Sequence, residues 1–121
     1  MFTPRRIAIA AVAGIVGCVA NSIAITAVAG APLMPLIFSP GREFFSIVFA
    51  MALIPIFARL HGAAAWATAF VVLEALSTLS AKLVFGAQAP WGLVLFFNGI
   101  YAVAAIGVYA VGTKAAARGT A

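Results

Sequence analysis

The 121-residue chain is 66% hydrophobic and only 7% charged, against about 45–50% and about 25% in an ordinary soluble domain. Seven Lys or Arg and two Glu cannot cover a globule in water, so the composition excludes a soluble domain and makes the bilayer the solvent. The single cysteine excludes a disulfide within the chain, and one His with one Cys is too few for a zinc site built from this chain alone, so neither metal nor cofactor is implied. The net charge of +5 does not point to nucleic acid, because the basic residues are scattered between apolar blocks rather than gathered into a stripe.

A transmembrane helix needs about 20 mainly apolar residues. Four stretches satisfy this, at about 7–29, 40–60, 63–84 and 90–112. The first follows Arg5-Arg6 and closes at Gly30, just before Pro32. It resembles two processing signals: Ala27-Val28-Ala29 has the small residues of a secretory cleavage site, and Ile15-Val16-Gly17-Cys18 is similar to a lipoprotein box. The apolar run continues past Cys18 to Ala29, longer than a usual signal core, and this predicts an uncleaved helix. Residues 30–39 then read GAPLMPLIFS, in which Pro32 and Pro35 predict irregular backbone. So apolar a loop is expected to lie at the membrane surface, cover the mouth of the bundle or meet a partner.

The second span opens with Ser39 placed as a cap, Pro40 at a first helical position and Glu43 in the first turn, where the helix dipole favours an anion. Pro55 removes one backbone hydrogen bond inside it and predicts a bend. His61-Gly62 is a tight turn that makes the second and third spans an antiparallel hairpin, with His61 read as a solvated turn residue. Residues 86–89 form a second short turn, and a basic tail, 113–121, follows the fourth span. The expected fold is an all-α membrane protein, a single domain over residues 1–121 with four transmembrane helices arranged as two antiparallel hairpins.

Lys and Arg set the orientation, since cytoplasmic loops retain them. With the N-terminus inside, Arg5, Arg6, Arg59, Lys114 and Arg118 lie on the inner side and only Arg42 and Lys82 on the outer. Both termini are therefore expected in the cytoplasm, in a bacterial inner membrane. Trp66 and Trp91 fall near span ends, where interfacial aromatics anchor helices.

Lipid supplies no hydrophobic drive between helices, so small residues at spacing four mark close backbone approach. The first span carries Ala10, Gly14, Cys18 and Ser22 in such a row, and the fourth carries Gly99 and Gly107 about two turns apart. Cys18 is read as a small packing residue rather than a ligand or redox thiol.

Glu74 is the residue on which function turns. It stands eleven residues into the third span from Ala63, about 16 Å deep and near the middle of a core about 30 Å thick. A charged side chain there costs about 3 kcal/mol, which the strong hydrophobes of this helix roughly offset at about 2–4 kcal/mol, so Glu74 is expected to face protein or water. Glu74, Ser77, Thr78 and Ala81 share one helical face. Asn98 of the fourth span and Asn21 of the first lie within about one turn of the same depth, with Tyr101 one turn inward of Asn98. Glu74, Asn98, Asn21, Ser77 and Tyr101 thus form a candidate intramembrane polar cluster.

Two accounts fit it. A protonated Glu74 can hydrogen-bond to Asn98 and hold the helices in register, or Glu74 can exchange a proton or cation with Asn21, Asn98 and Ser77 as partners. No nucleophile and base pair, metal motif, phosphate loop or pair of neighbouring carboxylates is present, so no enzyme activity is expected. The favoured function is a non-catalytic accessory or assembly subunit of a larger membrane complex, associating with lipid and with other membrane subunits or copies of itself. The alternative is a small oligomeric transporter or channel coupled to protons or cations through Glu74.

Overall fold

Six helices build the chain: α1 (Pro4–Ala29), α2 (Leu33–Ile37), α3 (Pro40–Ala50), α4 (Leu53–Arg59), α5 (Gly62–Leu83) and α6 (Trp91–Thr120), with no strand among the described residues. The computed structural model describes residues 2–120, and side chains through Lys114. Four helical stretches are long and apolar enough to cross a membrane: Pro4–Ala29, Pro40–Arg59, Gly62–Leu83 and Trp91–Lys114. They mark an integral membrane protein.

Local chemistry explains both ends of α1, whereas Ser39, expected to cap the second span, stands at the N-cap of α3 without a side-chain cap bond. Thr3 Oγ1 accepts from the Arg6 amide at 3.2 Å, Pro4 occupies the first turn, and Gly30, at φ 73°, lets the chain leave α1 in the left-handed region that other residues avoid. Residues 30–39 depart from expectation, because Leu33–Ile37 is helical. Pro32 stands before α2 as its cap and Pro35 falls within its first turn, where no amide donor is needed, so these prolines start a helix instead of blocking one. Pro55 does more than bend the second span. It offers no N–H to the Met51 carbonyl, which accepts instead from Ile54 at 3.2 Å, and the helix is interrupted at Met51 and Ala52 between α3 and α4. The segment expected as a tail continues α6 to Thr120; Ala121 lies outside the described residues.

The largest interface is between α1 and α6, the first and last spans, rather than within a sequential pair. Asn21 meets Phe97, Gly17 meets Tyr101 and Gly112 meets Ile9, so the two helices run in opposite directions. Small residues allow this approach. Ala10, Ala13, Gly14, Gly17 and Cys18 are buried, while Val12, Ile15, Val16 and Ile23 of the same helix are exposed. Small inside and large outside reverses the pattern of a helix in water and suits one whose outer face meets lipid. A Cβ added at Gly14 would lie 2.6 Å from the Ser46 carbonyl oxygen and 2.7 Å from Ile47 Cα of α3. One added at Gly17 would lie 2.6 Å from the Tyr101 ring. Gly14 and Cys18 therefore belong to a seam inside the bundle. Gly107 is not at a close approach, since an added Cβ would have no heavy atom within 4 Å.

Candidate functional site

The site begins at Arg42, the third residue of α3. The sequence alone places this arginine at the outer edge, where a long cation normally reaches for water. Its guanidinium turns into the bundle instead. Nη2 donates to Asn21 Oδ1 at 2.8 Å and to Ser22 Oγ at 2.9 Å, both on α1, and Nε donates to the Leu36 carbonyl at 3.2 Å. Asn21 and Ser22 are accessible to it because they lie on the buried face of α1, where small neighbours let α3 approach closely.

From Asn21 the hydrogen bonds run on across the bundle. Asn21 Nδ2 donates to the Phe97 carbonyl at 2.7 Å and, more weakly, to Asn98 Oδ1 at 3.4 Å. Asn98 Nδ2 donates to Thr78 Oγ1 at 3.2 Å, and Thr78 Oγ1 donates to Glu74 Oε1 at 3.0 Å. Arg42, Asn21, Asn98, Thr78 and Glu74 thus form one directed chain through all four spans, from a group that can only donate to a carboxylate that can only accept when ionised. Each asparagine orientation follows from that polarity: its oxygen faces the arginine side and its nitrogen the glutamate side.

Two concavities lie at the ends of this chain. A cavity of about 250 Å³ is lined by Arg42, Asn21, Asn98 and Ser77 together with Phe45, Phe49, Phe97 and Tyr101, and reaches Ala29, Ala87 and Ala89 beside the loops. Edge-to-face contacts of Phe45 with Phe85, at a ring separation of 5.4 Å, stiffen one wall. Glu74 does not line this cavity. It lines a separate, open groove between α5 and α6 with Phe70, Phe96, Gly99 and Val103, all apolar. A Cβ added at Gly99 would lie 3.1 Å from Glu74 Oε2, so this glycine leaves room for the carboxylate.

Comparison with protein-family models, with curated proteins and with solved structures gives no match. Function must be read from the chain's own geometry.

The structure links Glu74, Asn98 and Asn21, through Thr78 rather than by a direct bond from Glu74 to Asn98. Ser77 is buried beside the cavity but spends its hydroxyl on the Leu73 carbonyl of its own helix, at 2.6 Å. Tyr101 stands outside the chain: its hydroxyl donates to the Ser46 carbonyl at 2.6 Å and ties α6 to α3. Of the small residues, Ala10, Gly14 and Cys18 pack within the bundle, Gly99 borders Glu74 and Gly107 touches nothing closely. Arg42 and Thr78 are the members that the sequence-predicted cluster left out: Thr78 shares the helical face of Glu74, and Arg42 lies in the first turn of an apolar span. Among the described residues no three His, Cys, Asp or Glu side chains are placed to hold a metal ion.

Proposed function

We propose that this protein is a non-catalytic accessory or assembly subunit of a larger membrane complex, and that its α5–α6 groove receives a transmembrane helix of another polypeptide. In this reading the four spans form two antiparallel hairpins in a bacterial inner membrane with both termini cytoplasmic, as the distribution of Lys and Arg indicates. One observation carries the proposal: Glu74 lines an open apolar groove on the bundle surface, with a single hydroxyl donor on Oε1 and no donor on Oε2 among the described residues. An ionisable group facing lipid is costly, and a donor from a neighbouring helix removes that cost. A second copy of the same groove would bring only another Glu74, since the other lining residues are apolar, and two like carboxyls would meet across a twofold axis. A different polypeptide carrying a hydroxyl, amide or ammonium at this depth fits better.

Site-specific photo-crosslinking tests this. A crosslinker at Phe96 or Val103, in the groove, is expected to capture one defined polypeptide, and one at Val12 or Ile23, exposed on α1, is not. Glu74→Ala should abolish the groove adduct. A homogeneous homo-oligomer whose reconstitution gives Glu74-dependent proton flux would overturn the proposal.

A second reading, a transporter coupled through Glu74, takes its support from the carboxylate that ends the hydrogen-bonded chain at an open groove. Two of its links are carboxamides, which hydrogen-bond well but exchange protons poorly, so the chain is better suited to holding geometry than to conducting protons. Glu74→Gln separates the readings: it retains the acceptor for Thr78 and should preserve association, whereas proton-coupled flux would vanish.

A further inference from the structure

We infer that the cavity beside Arg42 is a binding site for a small amphipathic anion, an oxyanion head with a single apolar tail. Nothing in this inference depends on the groove at Glu74. Arg42 is held by three neutral acceptors, and its Nη1 donates to none of the described residues. Its neighbour Glu43 does not line the cavity and turns toward Cys18 of α1. A half-buried guanidinium that makes no close ion pair among the described residues is stabilised by a bound anion, and its planar fork suits carboxylate or phosphate oxygens. The remaining wall is chiefly aromatic, with Phe45, Phe49 and Phe97, and offers an apolar tail a place to bury. The volume of about 250 Å³ lies just below the usual range for drug-sized ligands, about 300–1,000 Å³, so the tail is short or projects from the mouth near Ala87.

The probe is carbon-13-labelled octanoate, followed by NMR with the full chain in phosphatidylcholine nanodiscs, against octanol as the neutral control. Octanoate should saturate and bind at least about tenfold more tightly than octanol, because a charge-assisted hydrogen bond to the guanidinium is stronger than a neutral one. Arg42→Gln should erase that preference and Arg42→Lys should keep most of it. Ala81→Phe, which places a ring in the cavity from α5 without removing any hydrogen-bonding group, should exclude octanoate, and thermal unfolding near that of the parent checks that the fold is kept. Replacing part of the lipid with phosphatidylglycerol then separates two sources of the same head chemistry: undisturbed octanoate binding supports a single-tailed soluble anion, and displacement assigns the site to a two-tailed lipid phosphate and overturns the single-tail inference. Equal binding of octanoate and octanol, or octanoate binding that survives Ala81→Phe, overturns the inference.

Discussion

The two ends of the hydrogen-bonded chain solve the same problem differently. At one end Arg42 brings a cation into the bundle and is received by Asn21, Ser22 and the Leu36 carbonyl, all from the same polypeptide. At the other, Glu74 brings an acid to the surface of α5, receives one hydroxyl and opens onto a groove of phenylalanines and aliphatic residues. The arginine end is complete as a structural element and has donors to spare, and so it suits a small ligand. The glutamate end is incomplete and suits a neighbour. In a bilayer, where water is not there to complete a polar group's shell, what surrounds a charge says more about its use than the charge itself.

The largest expected effect comes from removing the node nearest the cation. Asn21→Leu strips Arg42 of an acceptor and the Phe97 carbonyl of its donor, and should lower stability by about 3 kcal/mol, read by unfolding in mixed micelles. Asn21→Asp keeps an acceptor for Arg42 and adds charge to it, but still loses the donor to the Phe97 carbonyl, and should lose less than Asn21→Leu. Packing comes next. Gly14→Ala drives a methyl against the α3 backbone and should destabilise by about 2 kcal/mol, whereas Gly107→Ala, facing open space, should change stability by less than about 0.5 kcal/mol; equal effects in the same assay would dissolve the seam assigned to α1 and α3. Thr78→Val cuts the chain between its two ends. It should cost about 1 kcal/mol and also abolish any energetic coupling between substitutions at Asn21 and Glu74 in a double-mutant cycle. Smallest is Glu74→Gln, expected to shift the stability of the isolated protein by less than about 0.5 kcal/mol because the Thr78 acceptor survives. A large loss there would mean that the acid end serves the protein's own fold and not the proposed association.

Depth along each helix was legible in the sequence. Rise per residue is the same in every α-helix, so counting from a span end locates Glu74, Asn98 and Asn21 at neighbouring depths, and the structure does link the three. Rotation was not legible. Glu74 and Thr78 share one helical face in the sequence, yet Thr78 is buried in the chain and Glu74 lines the surface groove, a difference set by how α5 leans on α6. Arg42 was hidden for a related reason: a long flexible stem can carry its charge outward or inward, and only the acceptors waiting on α1 decide which.

What the sequence determined by itself is the solvent, the number and approximate extent of the membrane-length apolar helices, the end of α1 at Gly30 and a disturbance of the second span by Pro55. These follow from interactions within a turn or two of chain and from the requirement that lipid leaves no backbone group unpaired. The tertiary structure decided the pairing of α1 with α6, the inward turn of Arg42, the intervention of Thr78 between Asn98 and Glu74, and the division of polarity between a deep cavity and a shallower groove. Those depend on helix rotation and close approach, which small residues such as Gly14 and Gly17 permit but which no local pattern specifies.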